Sequence, residues 1–352
     1  MDQTVRIETL GARGDGMDAE GNAYPFTLPG ERVTQEPSPN IIEASPHRVA
    51  PACRHFGTCG GCALQHYAPA PYEEWKRQKV RDTLAQRGID VEVDPTFACA
   101  PAERRRAQFT ARRTEGGLRF GYHKAASKMI FDIEECPVLV SEITDAVPLL
   151  KQLAAIACPK TGELRVAVFA TDFGLDVSIS GPPKLADDLR RQAVDFALKN
   201  GLPRLSLGDE ILIERVAPTV DFGGLPVAVQ PGGFAQATKR AEQHMVGLAG
   251  AHMKGCKQVT DLFAGAGTFS IPLALHSKVA AYEGEAGALM ALDKAARQAP
   301  KLGVRIKTLT TERRDLHRRP LTARELKRVD GVVFDPPRAG AEAQCKELAK
   351  SP

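Results

Sequence analysis

The sequence predicts a multidomain chain: a small OB-like β-barrel, an α+β middle domain, and a doubly wound, Rossmann-like α/β domain. Three observations predict it. Short strand-like runs divided by Gly, Asp and Pro fill the first 48 residues, and cysteines crowd into "CRHFGTCGGC" just beyond them. After "LPVAVQPGGFAQAT" the pattern changes to strands alternating with helices, as in a parallel sheet covered on both faces.

With 352 residues, 43% of them hydrophobic and 26% charged, the chain has enough apolar surface to build the cores of two or three domains. The opening "MDQTVRIETLGARGDG" holds no apolar run of signal-peptide type, and no later stretch approaches a membrane span. A cytoplasmic protein with no membrane partner is the expectation. That compartment keeps thiols reduced, so a tight cysteine group points to metal or redox chemistry rather than a disulfide framework. Net charge is only +4, but "ERRRAQFTARR" gathers Arg104, Arg105, Arg106, Arg112 and Arg113, and "ERRDLHRRPL" forms a second basic knot. Both are candidate phosphate contacts; either run alone is equally a solvated strand face or loop.

The first domain, 1–48, contains "VRIETL", "AYPFTL" and "ERVTQE" as short strands. In the middle domain, 49–228, the cysteine loop is followed by a helix over 71–88, where Trp75, Val80 and Leu84 recur at helical spacing and Gly88 marks the end. This helix is a candidate to pack on the last domain. From about 92 to 225 the runs are strand-like ("RAQFTARR", "GLRFGYH", "ELRVAVFAT", "GLDVSIS"), with one amphipathic helix at "PKLADDLRRQAVDFALKNG". The last domain, 229–352, alternates: "KQVTDLF" strand, "GTFSIPLALHS" helix, "KVAAYEGE" strand, "AGALMALDKAARQAP" helix, then strands in "VRIKTLTTERRD" and "VDGVVFDPP".

"VTDLFAGAGTFSIPLA" places Asp261 near the carboxyl end of a buried strand, followed by Gly265 and Gly267 and then a helix. Open α/β sheets bind ligands at that edge, and glycines there let the backbone approach the ligand closely. Glu283 lies about twenty residues on, the separation at which an acid accepts hydrogen bonds from ribose hydroxyls. A nucleoside cofactor follows. Ser270 stands where a dinucleotide fingerprint needs its third glycine, which favours S-adenosylmethionine over NAD. "VVFDPPRAGA" ends the fourth strand with Asp335 facing the cofactor. Arg338 replaces the aromatic residue that usually follows D-P-P in exocyclic-amine methyltransferases, which argues against amine methylation.

These residues resemble the RNA (uracil-5-)methyltransferase family, in particular its 23S rRNA branch with an N-terminal TRAM domain and a [4Fe–4S] cluster. "CRHFGTCGGCALQH" with "CPVL" resembles the cluster signature, "GGFAQAT" the cofactor-entry motif, and "DLFAGAGTF" and "FDPPRAGA" the cofactor loops. The resemblance implies that Cys53, Cys59, Cys62 and Cys136 ligate the cluster. It also implies that Gln236, Phe263, Glu283 and Asp335 contact S-adenosylmethionine together with the Gly265–Gly267 loop, with Thr268 and Asp315 as further candidates. RNA would be the partner, 23S rRNA first and tRNA second, and a monomer is expected.

Two features depart from the family pattern. Thr238 stands where many members have Asn. The family's nucleophile lies in an "SCNP" strand after DPPRAG and its base is a late Glu; this sequence contains neither, so it reads as truncated, inactive as given, and without an assigned catalytic residue. The chemistry explains the need. Uracil C5 is a poor nucleophile until a thiolate adds at C6; the resulting enolate takes the methyl group and a base removes the C5 proton. The base must also leave its stack. Cys345 falls on the apparent apolar face of a helix and reads as a packed core cysteine, and Cys99, Cys158 and Cys256 read likewise. Spacing alone leaves the four-cysteine set open between zinc and an iron–sulfur cluster; the resemblance favours the cluster.

Overall fold

The computed structural model describes residues 4–35, 38–181 and 185–351. Glu36, in the predicted strand "ERVTQE", and Pro183 and Lys184, at the start of a predicted helix, lie outside them. The chain forms two compact units: Met1–Pro101 with Phe109–Val138, and Ala102–Gln108 with Leu139–Pro352.

In the first unit β1 (Thr4–Arg6), β2 (Thr9–Leu10), β3 (Gly16–Met17), β4 (Ala23–Tyr24), β5 (Arg32–Thr34) and β6 (Ile41–Glu43) build two small antiparallel sheets, β1-β5-β6 and β2-β3-β4. Ile7, Tyr24 and Val33 share a core. Beside it, Glu31 is fully buried and holds Arg48 through Oε1 at 2.5 Å and Oε2 at 2.9 Å, while also accepting from the Leu28 amide. Burial pushes this carboxyl up, but the Arg48 hydrogen bond and two backbone amides outweigh it and hold the group below its ordinary value.

The predicted helix is α1 (Pro69–Ala85), shifted towards the N-terminus because Pro69 and Pro71 suit a first turn that needs no amide donors. Gly88 adopts φ 72°, and the Ile89 amide returns to Leu84 O at 3.0 Å. No residue of α1 is buried, so the Trp75, Val80 and Leu84 stripe does not enter a core. Lys79 instead lies over the Trp75 ring. β7 (Arg106–Thr114), whose first residues belong to the second unit, pairs with β8 (Gly117–His123), which pairs with β9 (Ile130–Asp132). Phe109 and Phe120 are its fully buried centre, with ring centroids 5.1 Å apart.

The second unit opens with α2 (Ser141–Asp145) and α3 (Val147–Ala157). The expectation of a single helix in the middle stretch is therefore corrected. Val147, Leu150, Ala154 and Ala157 make a buried helical stripe in α3, after a proline at its first turn. β10 (Leu164–Thr171) and β11 (Gly174–Ser180) are antiparallel; α4 (Asp187–Lys199) crosses to β12 (Arg204–Leu207), parallel to β11, and β13 (Glu210–Glu214) returns antiparallel. β14 (Thr219–Phe222) and β15 (Leu225–Ala228) form a hairpin whose two-residue turn, Gly223 (φ 60°) and Gly224 (φ 87°), supplies the positive φ angles that strand twist favours.

Next come α5 (Lys239–His252), β16 (Gln258–Leu262), α6 (Ser270–Ala274), β17 (Lys278–Glu283), α7 (Ala286–Gln298), β18 (Leu309–Arg313), α8 (Ala323–Leu326), β19 (Gly331–Phe334) and α9 (Glu342–Leu348). The sheet order is β18-β17-β16-β19 with every pair parallel. The chain runs outward from β16 to β18 and then returns to the other side, so the switch point lies between β16 and β19. That crevice, at the carboxyl ends, is where such sheets bind ligands. Two predicted elements are shorter than expected: the helix in "GTFSIPLALHS" starts only at Ser270, and the strand in "VRIKTLTTERRD" only at Leu309.

Candidate cofactor site

Beyond β16 the backbone turns sharply: Phe263 has φ 60°, Gly265 55° and Gly267 102°. Phe263 is the unusual member, since a Cβ penalises this region. Its ring lies 5.3 Å from that of His317. Gly267 is required by packing, because a Cβ there would sit 2.5 Å from Leu292 Cδ1 on α7; at Gly265 nothing lies within 4 Å. The loop is tied to the next strand by Glu283, whose Oε2 accepts from the Gly265 amide at 2.9 Å and whose Oε1 accepts from the Glu285 amide at 2.7 Å. Glu285 in turn caps α7. Thr268 sits half-buried in the same loop.

Under the loop lies Asp261, 1% exposed. Ser270 Oγ donates to its Oδ2 at 2.6 Å, closing the two ends of the loop on each other, while Oδ1 has no hydrogen-bond partner. Burial pushes this carboxyl up to about 7, and the negative charges of Glu283 and Asp335 add to it.

Across the switch point, Gln236 Nε2 donates to Asp335 Oδ2 at 3.0 Å. The loop carrying Gln236 is braced by Arg105 and Arg106. Arg105 donates through Nε to Gln236 O at 3.1 Å and through Nη2 to Glu242 Oε2 at 2.7 Å; Arg106 Nη1 donates to Ala235 O at 2.7 Å and stacks over Phe234. These two residues, read from sequence as candidate phosphate contacts, here support the loop by satisfying the Gln236 and Ala235 carbonyls. Glu242 is 4% exposed and pushed up by burial, with Arg105 opposing. Thr238 accepts from the Ala241 amide and caps α5. Asp315 follows β18, where Oδ1 accepts from the His317 and Arg318 amides.

The structure thus joins Gln236 to Asp335 and Gly265 to Glu283, with Phe263 against the turn that Asp315 holds. Sequence reasoning missed Ser270, Glu285, Arg105 and His317 as supports. For Glu285 a signal existed, since a polar residue before a helix is a capping signature.

The cysteines Cys53, Cys59, Cys62 and Cys136 all belong to the first unit. Burial pushes the Cys59 thiol up, the Gly61 amide donates to its Sγ at 3.4 Å and opposes that, and Cys62 and Cys53 raise it further. Among the described residues no group of three or more His, Cys, Asp or Glu side chains is disposed to hold a metal ion. Cys345 is exposed, against the expectation of a core position. The buried residue of α9 is its neighbour Gln344, whose amide pairs with both Leu321 N and Leu321 O. Cys158 is buried, Cys256 half-buried and Cys99 exposed.

A parallel sheet with a glycine loop after its first strand and a loop-binding acid after its second defines an α/β domain of the nucleoside-cofactor-binding class. No family model matches the sequence. An uncharacterized RNA methyltransferase of Mesorhizobium japonicum is 48% identical over 360 residues, covering 100% of this chain and 86% of that protein. The 23S rRNA (uracil(1939)-C(5))-methyltransferase of Halomonas elongata is 31% identical, covering 97% of this chain and 76% of that protein. Among solved structures, the Pyrococcus abyssi tRNA (uracil-54, C5)-methyltransferase in complex with S-adenosyl-L-homocysteine shares the fold. Its TM-score is 0.71 at 22% identity, covering 99% of this chain and 87% of that one. The chain belongs to the RNA (uracil-5-)methyltransferase family. Among the described residues no helix is long and apolar enough to cross a membrane.

Proposed function

We propose that this protein transfers the methyl group of S-adenosylmethionine to C5 of a uracil in RNA. The observation that carries the reading is the Gln236–Asp335 hydrogen bond, which closes the switch point beside a glycine loop held by Glu283. Both oxygens of Glu283 accept backbone amides, which orients the carboxylate at the strand end where ribose hydroxyls would reach it. Phe263, Gly265, Gly267 and Thr268 would form the floor, and Asp335 would lie near the reacting end. Asp315 is the outer candidate. 23S rRNA is the preferred substrate, since a relative that covers nearly all of the chain carries that activity in its name. The enzyme would work as a cytoplasmic monomer, with residues 1–48 as a TRAM-type barrel, 49–228 as the cysteine-bearing and RNA-binding domain, and 229–352 as the methyltransferase domain.

Cys53, Cys59, Cys62 and Cys136 would be the soft thiolate donors of a [4Fe–4S] cluster; what supports this is their residue type and the family resemblance, since the described side chains are not disposed as a metal site. Such a group supplies a covalent tie between chain segments; here it would join the 53–62 loop to Cys136. The expectation of an inactive chain finds no support in the comparisons.

The test is covalent trapping. An RNA carrying 5-fluorouracil at the target cannot lose its C5 substituent and so retains an attacking thiolate. With S-adenosylmethionine present, a denaturant-resistant adduct on a 23S rRNA fragment supports the reading, and an adduct on tRNA alone moves the substrate to tRNA. Methyl transfer to any atom other than uracil C5 overturns it. Loss of the adduct in Cys345→Ser would assign the nucleophile to that exposed thiol.

A further inference from the structure

The glycine loop has a carboxyl beneath it that no hydrogen bond completes. Asp261 pairs in register with Ala281 on β17 and Val333 beside it on β19. Glu283 and Asp335 lie two residues further along those same neighbours, on the same face by the period of a strand. Three acids therefore gather at the carboxyl ends of adjacent strands, and Asp261 is the innermost. The charged groups that act on it are Glu283 from β17 and Asp335 from the segment after β19; from α6 it meets the neutral Ser270 hydroxyl. A buried carboxyl with one orphaned oxygen is costly, and so is its ionisation next to two other anions. A cation placed among the three would reverse that balance.

We propose that Asp261 makes the site charge-selective: neutral while the site is empty, it gives up its proton to solvent when a sulfonium-bearing methyl donor is seated, and keeps it when the neutral thioether product occupies the same place. The inference rests on the reading that this site takes S-adenosylmethionine. Binding the donor releases a proton; binding the product does not. Donor affinity therefore rises with pH through neutrality while product affinity stays nearly flat, so exchange of product for donor becomes more favourable as pH rises. The donor-over-product preference gains roughly tenfold across about two pH units centred near neutrality, the limit for one linked proton. Asp261 acts through charge alone, as a specificity-determining residue.

The experiment is calorimetric titration of the intact chain with S-adenosylmethionine and with S-adenosylhomocysteine at about pH 6.5, in PIPES and in imidazole, buffers whose ionisation enthalpies differ. Wild type is expected to release a substantial fraction of a proton with the donor and little with the product, and Asp261→Asn, which keeps the shape and can still accept from Ser270, loses that difference. Ser270→Ala removes the hydrogen bond that favours the ionised form and moves the donor-linked release to higher pH. Equal release for both ligands, or release unchanged in Asp261→Asn, overturns this inference alone. Failure of both ligands to bind overturns the cofactor reading and this inference with it.

Discussion

Gly265 and Gly267 stand two residues apart in one loop, both with positive φ, yet alanine should act on them in different ways. At Gly267 two costs add. Holding an L-residue at φ 102° costs about 1–2 kcal/mol, and a methyl 2.5 Å from Leu292 Cδ1 and 3.3 Å from Ile271 Cδ1 forces repacking against α7 worth about 1–3 kcal/mol. Gly267→Ala should therefore destabilise the second unit by about 2–5 kcal/mol. At Gly265 only the conformational cost applies, about 1–2 kcal/mol, because nothing lies within 4 Å of the added methyl. That open space is where a cofactor would approach the backbone, so Gly265→Ala should lose affinity for S-adenosylhomocysteine while losing only that about 1–2 kcal/mol of stability. Urea denaturation followed by circular dichroism gives the first quantity and calorimetry the second. Equal destabilisation by both variants would refute the packing argument; undiminished affinity in Gly265→Ala would refute the placement of the ligand.

Further outcomes follow from other contacts. Arg48→Ala should destabilise the first unit by about 3–5 kcal/mol by leaving the buried Glu31 charge unpaired. Because the folded-state carboxyl is held below its ordinary value, its stabilisation is complete above the unfolded glutamate range near about pH 4.3 and is lost as pH falls through the folded value; thermal melts from neutral to acid pH should show a drop in wild type that is much smaller in Arg48→Ala. Anaerobically purified protein should be brown and carry about four iron per chain, and Cys136→Ser should lose iron by elemental analysis; colourless protein with stoichiometric zinc would reject the cluster. Arg105→Ala should cost about 3–5 kcal/mol in urea melts, whereas Arg105→Met combined with Glu242→Gln should cost less, since the buried charge goes with its partner.

The parallel sheet and its ligand edge were legible because they rest on local signals: period, glycines where φ turns positive, an acid at a fixed distance. Glu283 and Asp335 were read at that edge for that reason, whereas Gln236 and Phe263 were implied only by the family resemblance. Partnerships across long separations left no such trace. Arg105 reaches its acid 137 residues away, and a run of arginines looks the same in sequence whether it meets phosphate or the chain's own carbonyls. Gln344 and Cys345 show a second limit. Hydrophobicity assigns the interior to the cysteine, whereas a glutamine amide that satisfies both backbone groups of Leu321 is buried at little cost. In α3 the apolar stripe was present, but the flanking strand-like runs masked it.

The Arg105–Glu242 pair has a consequence for how the enzyme responds to salt. A cation strengthens binding to a polyanion largely by releasing the small ions condensed on it, and each phosphate neutralised contributes about 0.9 to the slope of log affinity against log salt for duplex nucleic acid and about 0.7 for single strands. Arg105 is already matched to a carboxylate in the free protein and has no charge left to displace those ions. A count of arginines along "ERRRAQFTARR" therefore overstates the ionic-strength dependence of RNA binding. Arg105 and Arg106 serve instead to present Gln236 at the same place at any ionic strength, so assembly of the cofactor site should be far less sensitive to salt than capture of the RNA.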